Sequence, residues 1–443
     1  MKTKYLLGCL LTLMTLPAWA TQNYVLDDVR LIDGTNNPAR EHMRIVLSEN
    51  IISAVGPASS LPLPQGAEVR NLNGQTVMPG IVSDHVHLAQ FNGVQPSPAA
   101  YTRENIIAQL NLYAKYGVTT VMSLGVNRPL FYDIRAEQHQ GNTSGADVLG
   151  ADHGIGVPQG APPVNVGEDQ LDRPATPDEA RAAVRAAVTR KTDAIKLWLD
   201  DFQGQKLVKM KPEIYKAVIA EAHLHNLKVF AHIYYLQDAK DLIRAGVDIL
   251  GHGVRDKQVD KEFIDLLKQH NTVYIPTLGV DESFYLFALH PELLNAPEVK
   301  EALNPEQQKL FSNAEWQQKQ INSPAFKTWK AGFETNLQNT KTVFRSGAKM
   351  GFGTDSGANP MRIPGYAEHR ELELLVKAGL TPLEALSLAT NSAALTLGLN
   401  DRGTIAAGKK ADLVVINGFP DRNIADISKI SEVWHNGKPI STH

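Results

Sequence analysis

Apolar residues recur along this chain in two different patterns. Between residues 24 and 77, and again over roughly the last fifty, they form short runs. Val25, Val29 and Leu31 make one run, Ile45, Val46 and Leu47 the next, then Ile51, Ile52 and Val55; the C-terminal set is Ala411 to Ile416, Val433 and Ile440. Asp33-Gly34, Ser48-Glu49-Asn50, Gly418 and Asn436-Gly437 separate them with residues that suit tight turns. Two strand-rich ends around one long middle predict a single small β domain built from both termini.

The middle alternates apolar runs with amphipathic stretches. Eight strand-like runs stand at 77–84, 117–124, 146–151, 193–199, 228–233, 246–251, 271–278 and 348–354. Thr176-Pro177-Asp178-Glu179 and Thr381-Pro382-Leu383-Glu384 read as capped helix starts with proline at the first helical position. After the first, Ala180, Val184, Ala187 and Val188 fall on one helical face; the second opens a helix through Ala389. Eight strand–helix alternations predict an α/β chain: a (β/α)8 TIM barrel over 78–397, with a small β-sandwich domain from 21–77 and 398–443. A doubly wound sheet is the rival, and its usual glycine-rich first turn is missing. The stretch 282–345, rich in Phe284, Tyr285, Phe287, Phe311, Trp316, Phe326 and Trp329, leaves the end of the seventh run. It reads equally as extra helices packed on the barrel or as a lid over its mouth.

Residues 1–20 are set apart. Lys2 and Lys4 precede the apolar run Tyr5 to Leu16, followed by Pro17-Ala18-Trp19-Ala20. This is the order of a secretory signal cleaved after Ala20, too short to span a membrane, and it predicts a periplasmic or secreted protein. Cys9 is the one cysteine of the chain and would leave with the signal. Leu6-Leu7-Gly8-Cys9 only loosely matches a lipidation site, because most of the apolar run follows the cysteine. A mature chain without cysteine must hold any metal with histidine nitrogen and carboxylate oxygen. The net charge of −3, with no basic face or tail, gives no support to a nucleic-acid partner.

Chemistry in a barrel belongs at the C-terminal ends of its strands, and several ligand-type residues stand there. His85 and His87 close the first run; at a spacing of two, both imidazoles face one side and suit zinc, iron or manganese. A lone His-x-His arises by chance in a chain with 14 histidines. His232 ends the fifth run and His252 the sixth; either alone reads as a core or rim histidine, but four at three strand ends do not. Lys196 lies inside the apolar Ala194-Ile195-Lys196-Leu197-Trp198. Burial there favours the neutral amine, which can add carbon dioxide to become an anionic carbamate able to bridge two metals; otherwise the lysine reaches the rim or pairs with Asp200 or Asp201. Asp355, in Gly351-Phe352-Gly353-Thr354-Asp355-Ser356-Gly357, can bind metal and accept a proton, or else cap a following helix.

Met78-Pro79-Gly80-Ile81-Val82-Ser83-Asp84-His85-Val86-His87-Leu88 resembles the first-strand motif of the amidohydrolase superfamily of metal-dependent hydrolases. Ala231-His232, Gly251-His252-Gly253, Gly353-Thr354-Asp355 and Lys196 match its other ligand positions, and Gly403 to Val415 resembles its return to the small β domain. The resemblance covers essentially the whole mature chain and is strongest to the imidazolonepropionase-like and Xaa-Pro-dipeptidase-like branch. It implies two divalent metal ions, with zinc the expected element. His85, His87 and Asp355 would hold one and His232 and His252 the other, with N-carboxylated Lys196 and a hydroxide bridging them. The hydroxide would attack an amide carbonyl of a small peptide or N-acyl amino acid, and Asp355 would pass the proton to the leaving group. Mononuclear deaminases and imidazolonepropionase lack the bridging lysine. The same metals would also serve lactones, cyclic amides or phosphotriesters; a non-enzymatic binding protein is the remaining alternative. His153, Tyr234, Tyr235 and Arg362, on loops near the mouth, are candidate substrate-binding residues. The expected partner is a small-molecule substrate, without nucleic acid or a membrane span, and with a homo-oligomer left open.

Overall fold

The computed structural model describes residues 23–141, 144–164 and 170–440 of this α/β chain. The predicted signal segment, with Cys9, lies outside the described residues. Strands from both ends of the chain pair into one eight-stranded sheet. Its N-terminal strands Asn23–Leu31, Arg40–Ser48, Ile51–Pro57, Glu68–Asn71 and Thr76–Pro79 meet the C-terminal Leu413–Ile416, Ile430–His435 and Lys438–Ile440. The two sets join where Thr76–Pro79 runs antiparallel to Leu413–Ile416, with Met78 opposite Val414. The alternating apolar residues meet over a core of their own, including Leu26, Val29, Ile45, Leu47, Val77, Leu413, Val415 and Trp434. The predicted Asn436-Gly437 turn has both residues in the left-handed region, at φ 50° and 75°. That backbone matches the twist of a two-residue hairpin.

The middle builds two parallel sheets. One is Ile81–Val86, Val118–Ser123 and Asp147–Gly150; the other is Ile195–Trp198, Val229–His232, Ile249–Leu250 and Val273–Tyr274. Single parallel bridges tie their edge strands to the segments between the sheets at three places: Ile155 to Leu197, Tyr274 to Met350, and Val86 to Ser356. Helices such as Arg103–Lys115, Pro177–Thr189, Pro212–Leu224 and Tyr366–Lys377 follow the strands and share one large core with them. Thr176 and Thr381 each accept a hydrogen bond from the backbone N–H three residues on, as their motifs predict.

Two predicted runs come out differently. The run 77–84 divides at Gly80: Thr76–Pro79 belongs to the eight-stranded sheet and Ile81–Val86 opens the parallel set. A side chain at residue 80 would collide with that of Thr119. The run 348–354 forms no ladder, only the bridges at Met350 and Ser356. Its end is irregular because Thr354 N and Asp355 N both donate to one carbonyl, that of His85, at 3.1 and 2.8 Å, and Asp355 lies at φ 58°. The helix predicted through Ala389 runs Pro382–Ser387 and then widens by one π-turn at Leu388–Ser392.

Residues 282–345 form helices, among them Pro297–Ala302, Pro305–Phe311, Ala314–Ile321 and Phe326–Arg345. Phe287, Leu294, Val299 and Phe311 pack with Tyr116, Ile363 and Tyr366. Phe284, Ala325, Thr328 and Trp329 from the same stretch form a wall of the main cavity. The insertion is thus both a packed layer and part of the site.

Candidate metal centre

Parallel strands that end together deliver their last side chains to one place. His85 and His87 sit at the end of Ile81–Val86, Lys196 within Ile195–Trp198, His232 at the end of Val229–His232, and His252 two residues past Ile249–Leu250. The imidazoles form a chain, with ring centroids 5.5 Å apart for His85–His87, 4.7 Å for His85–His252 and 4.5 Å for His232–His252. Asp355 Oδ1 lies 3.2 Å from His85 Nε2 and 3.0 Å from His87 Nε2. Lys196 Nζ lies 3.1 Å from His85 Nε2. All six residues are buried.

The geometry of the Asp355 loop depends on small residues. A Cβ on Gly353 would lie 2.7 Å from the Cβ of His85, and Gly357, at φ 82°, would press one into the His87 carbonyl. Glycine alone lets this segment lie against the strand carrying both histidines.

Burial sets the protonation states. It pushes His85 down to about 3, helped by Lys196, and lowers His87, His232 and His252 as well. All four imidazoles are therefore neutral near pH 7, the form that binds metal. A carbonyl can only accept, so His85 Nδ1, 2.7 Å from Gly251 O, carries the proton and Nε2 presents its lone pair. His252 Nδ1 bonds Thr277 Oγ1 at 2.8 Å. His232 Nε2 lies 3.2 Å from Asp200 Oδ1, which leaves Nδ1 as its other ligand atom. The Gln90 amide donates to His87 Nδ1 at 3.0 Å; turned over, it would accept from Nδ1 and free Nε2. Burial brings Lys196 down to about 7 against the pull of Asp355 and Asp200, leaving much of it as the free amine. Burial alone would raise the Asp355 carboxyl; Arg362, His85 and His87 outweigh it and hold it well below the usual range.

These donors fit a cation. His85, His252 and Asp355 place one ligand atom each within 4.8 Å of one another. Neutral imidazole nitrogens with one carboxylate and an amine make a borderline donor set suited to zinc and its neighbours. A second such cluster, Asp152, His153 and Asp172, is differently filled. There Arg190 donates to both oxygens of Asp152 at 2.6 to 3.1 Å, and Tyr132 also bonds it, so the charge is already met.

The centre opens into a cavity of about 400 Å³. His87, His232, His252 and Asp355 line it beside the apolar Trp198, Phe202, Phe284 and Trp329. Of the residues expected to bind substrate, Tyr234 and Arg362 line it, while His153 and Tyr235 do not. Tyr234 shares the side of His232, two residues before it, whereas Tyr235 points the other way and donates to Asp201 at 2.8 Å. His153 faces Asp172, at 3.4 Å. Arg362 also bonds Asp355 directly and lies over the Phe284 ring at 5.7 Å.

Arg255, Gln90 and Phe202 were not among the predicted site residues, whereas Phe284 and Trp329 come from the stretch read as packed helices or a lid. Arg255, three residues past His252, is buried against Asp281 at 3.1 Å and under the Tyr234 ring at 5.0 Å. Its spacing from a strand-end histidine was a usable signal.

Known proteins resemble this chain in sequence and fold. A sequence profile of the Amidohydrolase family matches residues 76–442. The ochratoxinase of Aspergillus niger is 24% identical over 452 aligned positions, covering 92% of this chain and 84% of its own. The imidazolonepropionase of Deinococcus radiodurans is 43% identical over 86 residues, 19% of this chain and 21% of its own. Among solved structures, a Xaa-Pro dipeptidase with bound methionine superposes with a TM-score of 0.74 at 23% identity, over 95% of this chain and all of its own. The ochratoxinase structure gives 0.72 at 20% identity, over 95% of each chain. With the family profile spanning both the strand-end cluster and the returning β segment, this chain belongs to the amidohydrolase family.

Proposed function

We propose that this protein is a secreted or periplasmic metal-dependent hydrolase of amide bonds in small peptides or N-acyl amino acids. The observation that carries the reading is the convergence of four neutral imidazoles, Asp355 and the buried Lys196 in one cluster, of which His87, His232, His252 and Asp355 line the cavity. His85, His87 and Asp355 would hold one cation, His232 and His252 the other, with Lys196 as a carbamate between them. Bound there, divalent metal supplies an acidified water and polarises the scissile carbonyl.

The chain's own groups do the rest. Asp355 accepts the proton and returns it to the leaving amine. Arg362 keeps that carboxyl ionised while it waits. Tyr234 and Arg255 offer a hydroxyl and a cation for a substrate carboxylate, and Phe202, Phe284 and Trp329 offer apolar surface for the flanking groups. The bridges at the sheet edges support a (β/α)8 barrel over 78–397, and the separate core of the eight-stranded sheet supports a β-sandwich domain from 21–77 and 398–443. The signal at 1–20 is proposed from its charge and apolar pattern. Purified protein assayed against dipeptides, N-acyl amino acids, lactones and a phosphotriester tests the reaction. Turnover of amides supports it; turnover of the lactone alone would remove the peptidase reading.

A further inference from the structure

We propose that Glu368 is a positioning residue: through Ser83, Thr354 and Ser356 it fixes the backbone at Asp355 and so aims that carboxylate at His85 and His87. Glu368 stands in the helix Tyr366–Lys377, is fully buried, and does not line the cavity. One of its oxygens, Oε1, accepts three hydroxyl protons: Ser83 Oγ at 3.1 Å, Thr354 Oγ1 at 2.6 Å and Ser356 Oγ at 2.8 Å. Oε2 accepts from Gly365 N at 2.8 Å. Since the Ser356 proton goes to Glu368, Tyr113 must donate to Ser356 Oγ, at 2.6 Å.

These contacts surround the proposed general base. Thr354 and Ser356 are its two neighbours in sequence, and Ser356 N also donates to Thr354 Oγ1 at 3.1 Å. Ser83 lies two residues before His85, on the strand carrying both histidines. Between them Asp355 holds φ 58°, which an L-residue adopts only where its surroundings impose it. Asp355 N and Thr354 N both go to His85 O, so the loop is tied to the histidine strand through its backbone and through the shared carboxylate. Only a carboxylate can take three hydroxyl donors on one oxygen and a backbone N–H on the other without offering a proton of its own. No lysine or arginine pairs with Glu368 among the described ion pairs, and burial raises its pKa. Such an expensive placement would be wasted on a helix cap that glycine already permits.

The inference rests on the proposed role of Asp355, and a double-mutant cycle separates the two. Glu368→Gln keeps the shape but turns one accepting position into a donor. Metal-free wild type, E368Q, D355N and the double variant are titrated with Zn2+, and kcat and KM are measured on the amide substrate. E368Q should weaken Zn2+ binding by about tenfold to a hundredfold, the range typical of groups that orient ligands, and lower kcat with KM within about twofold. In the D355N background it should cost nothing further. An equal loss in both backgrounds would show a merely structural role and overturn the inference. Unchanged Zn2+ affinity and kcat in D355N itself would overturn the reading of the site instead. If E368Q does not fold, Thr354→Val runs the same cycle by removing one donor to Glu368 at nearly constant volume.

Discussion

Replacing Lys196 with alanine separates a bridging lysine from one that merely fills space. Lys196 is fully buried, its amine 3.1 Å from His85 Nε2, and its pKa is brought from 10.5 down to about 7. At pH 7.5 a group with the ordinary lysine pKa is neutral about once in a thousand molecules, whereas one titrating near 7 is neutral about three times in four. The fold therefore raises the carbon-dioxide-reactive fraction by nearly three orders of magnitude. The truncation removes three methylenes, which costs at most about 2–3 kcal/mol of burial and leaves space continuous with the ligand cluster. A lost bridge should cost more than the roughly hundredfold typical of outer partners, so kcat should fall by at least about that factor. Metal content should fall with it. Formate, acetate or propionate should restore part of both by occupying the space with a carboxylate. Labelled bicarbonate should give a carbamate carbonyl signal by 13C NMR in the wild type and none in the variant. Near-normal turnover and metal content in the variant would refute the argument.

Other outcomes follow from single features. Trp329 stacks on Phe284 at 4.6 Å and walls the cavity, so Trp329→Ala should raise KM for amides with an aromatic group about threefold to tenfold, with zinc content unchanged in the same preparations. His435 sits between Asp412 and Asp147, at 2.9 and 3.4 Å, and is raised from 6.5 to about 9 against its burial. A raised pKa means stability fully present below pH 6.5 and lost as pH climbs through 9, by about 3 kcal/mol. Denaturant unfolding across that window should show this loss in the wild type and not in His435→Gln; parallel curves would refute it. Thr381 and Glu384 cap the helix Pro382–Ser387 reciprocally, so Thr381→Ala should lower stability by about 1 kcal/mol in thermal melts while leaving kcat unchanged.

Much of the site was legible because strand ends in a parallel sheet are fixed by periodicity. His85, His232 and His252 each close an apolar run, so placing the runs placed these candidate ligands. Tyr234 against Tyr235 shows where the reading ran out: both were candidates, and only the alternation of the extended chain past His232 says which one faces the cavity. Gly80 is a similar case, since a continuous apolar stretch cannot reveal that its two halves join different sheets. The irregular 348–354 segment reads as a strand by composition; its backbone is set instead by the shared His85 carbonyl and by Glu368 on the helix that follows. Phe284 and Trp329 lie in a stretch legible as packed helices or a lid, but only tertiary packing says that these two of its aromatic residues face the cavity.

The central claim is that this cluster binds divalent metal and uses it to cleave amides. Elemental analysis of the purified protein, paired with amide hydrolysis before and after chelation, tests it most directly. The account predicts two divalent ions per chain, loss of hydrolysis on their removal and recovery on adding Zn2+ back. Protein that carries no stoichiometric metal, or that hydrolyses amides undiminished after chelation, would contradict it.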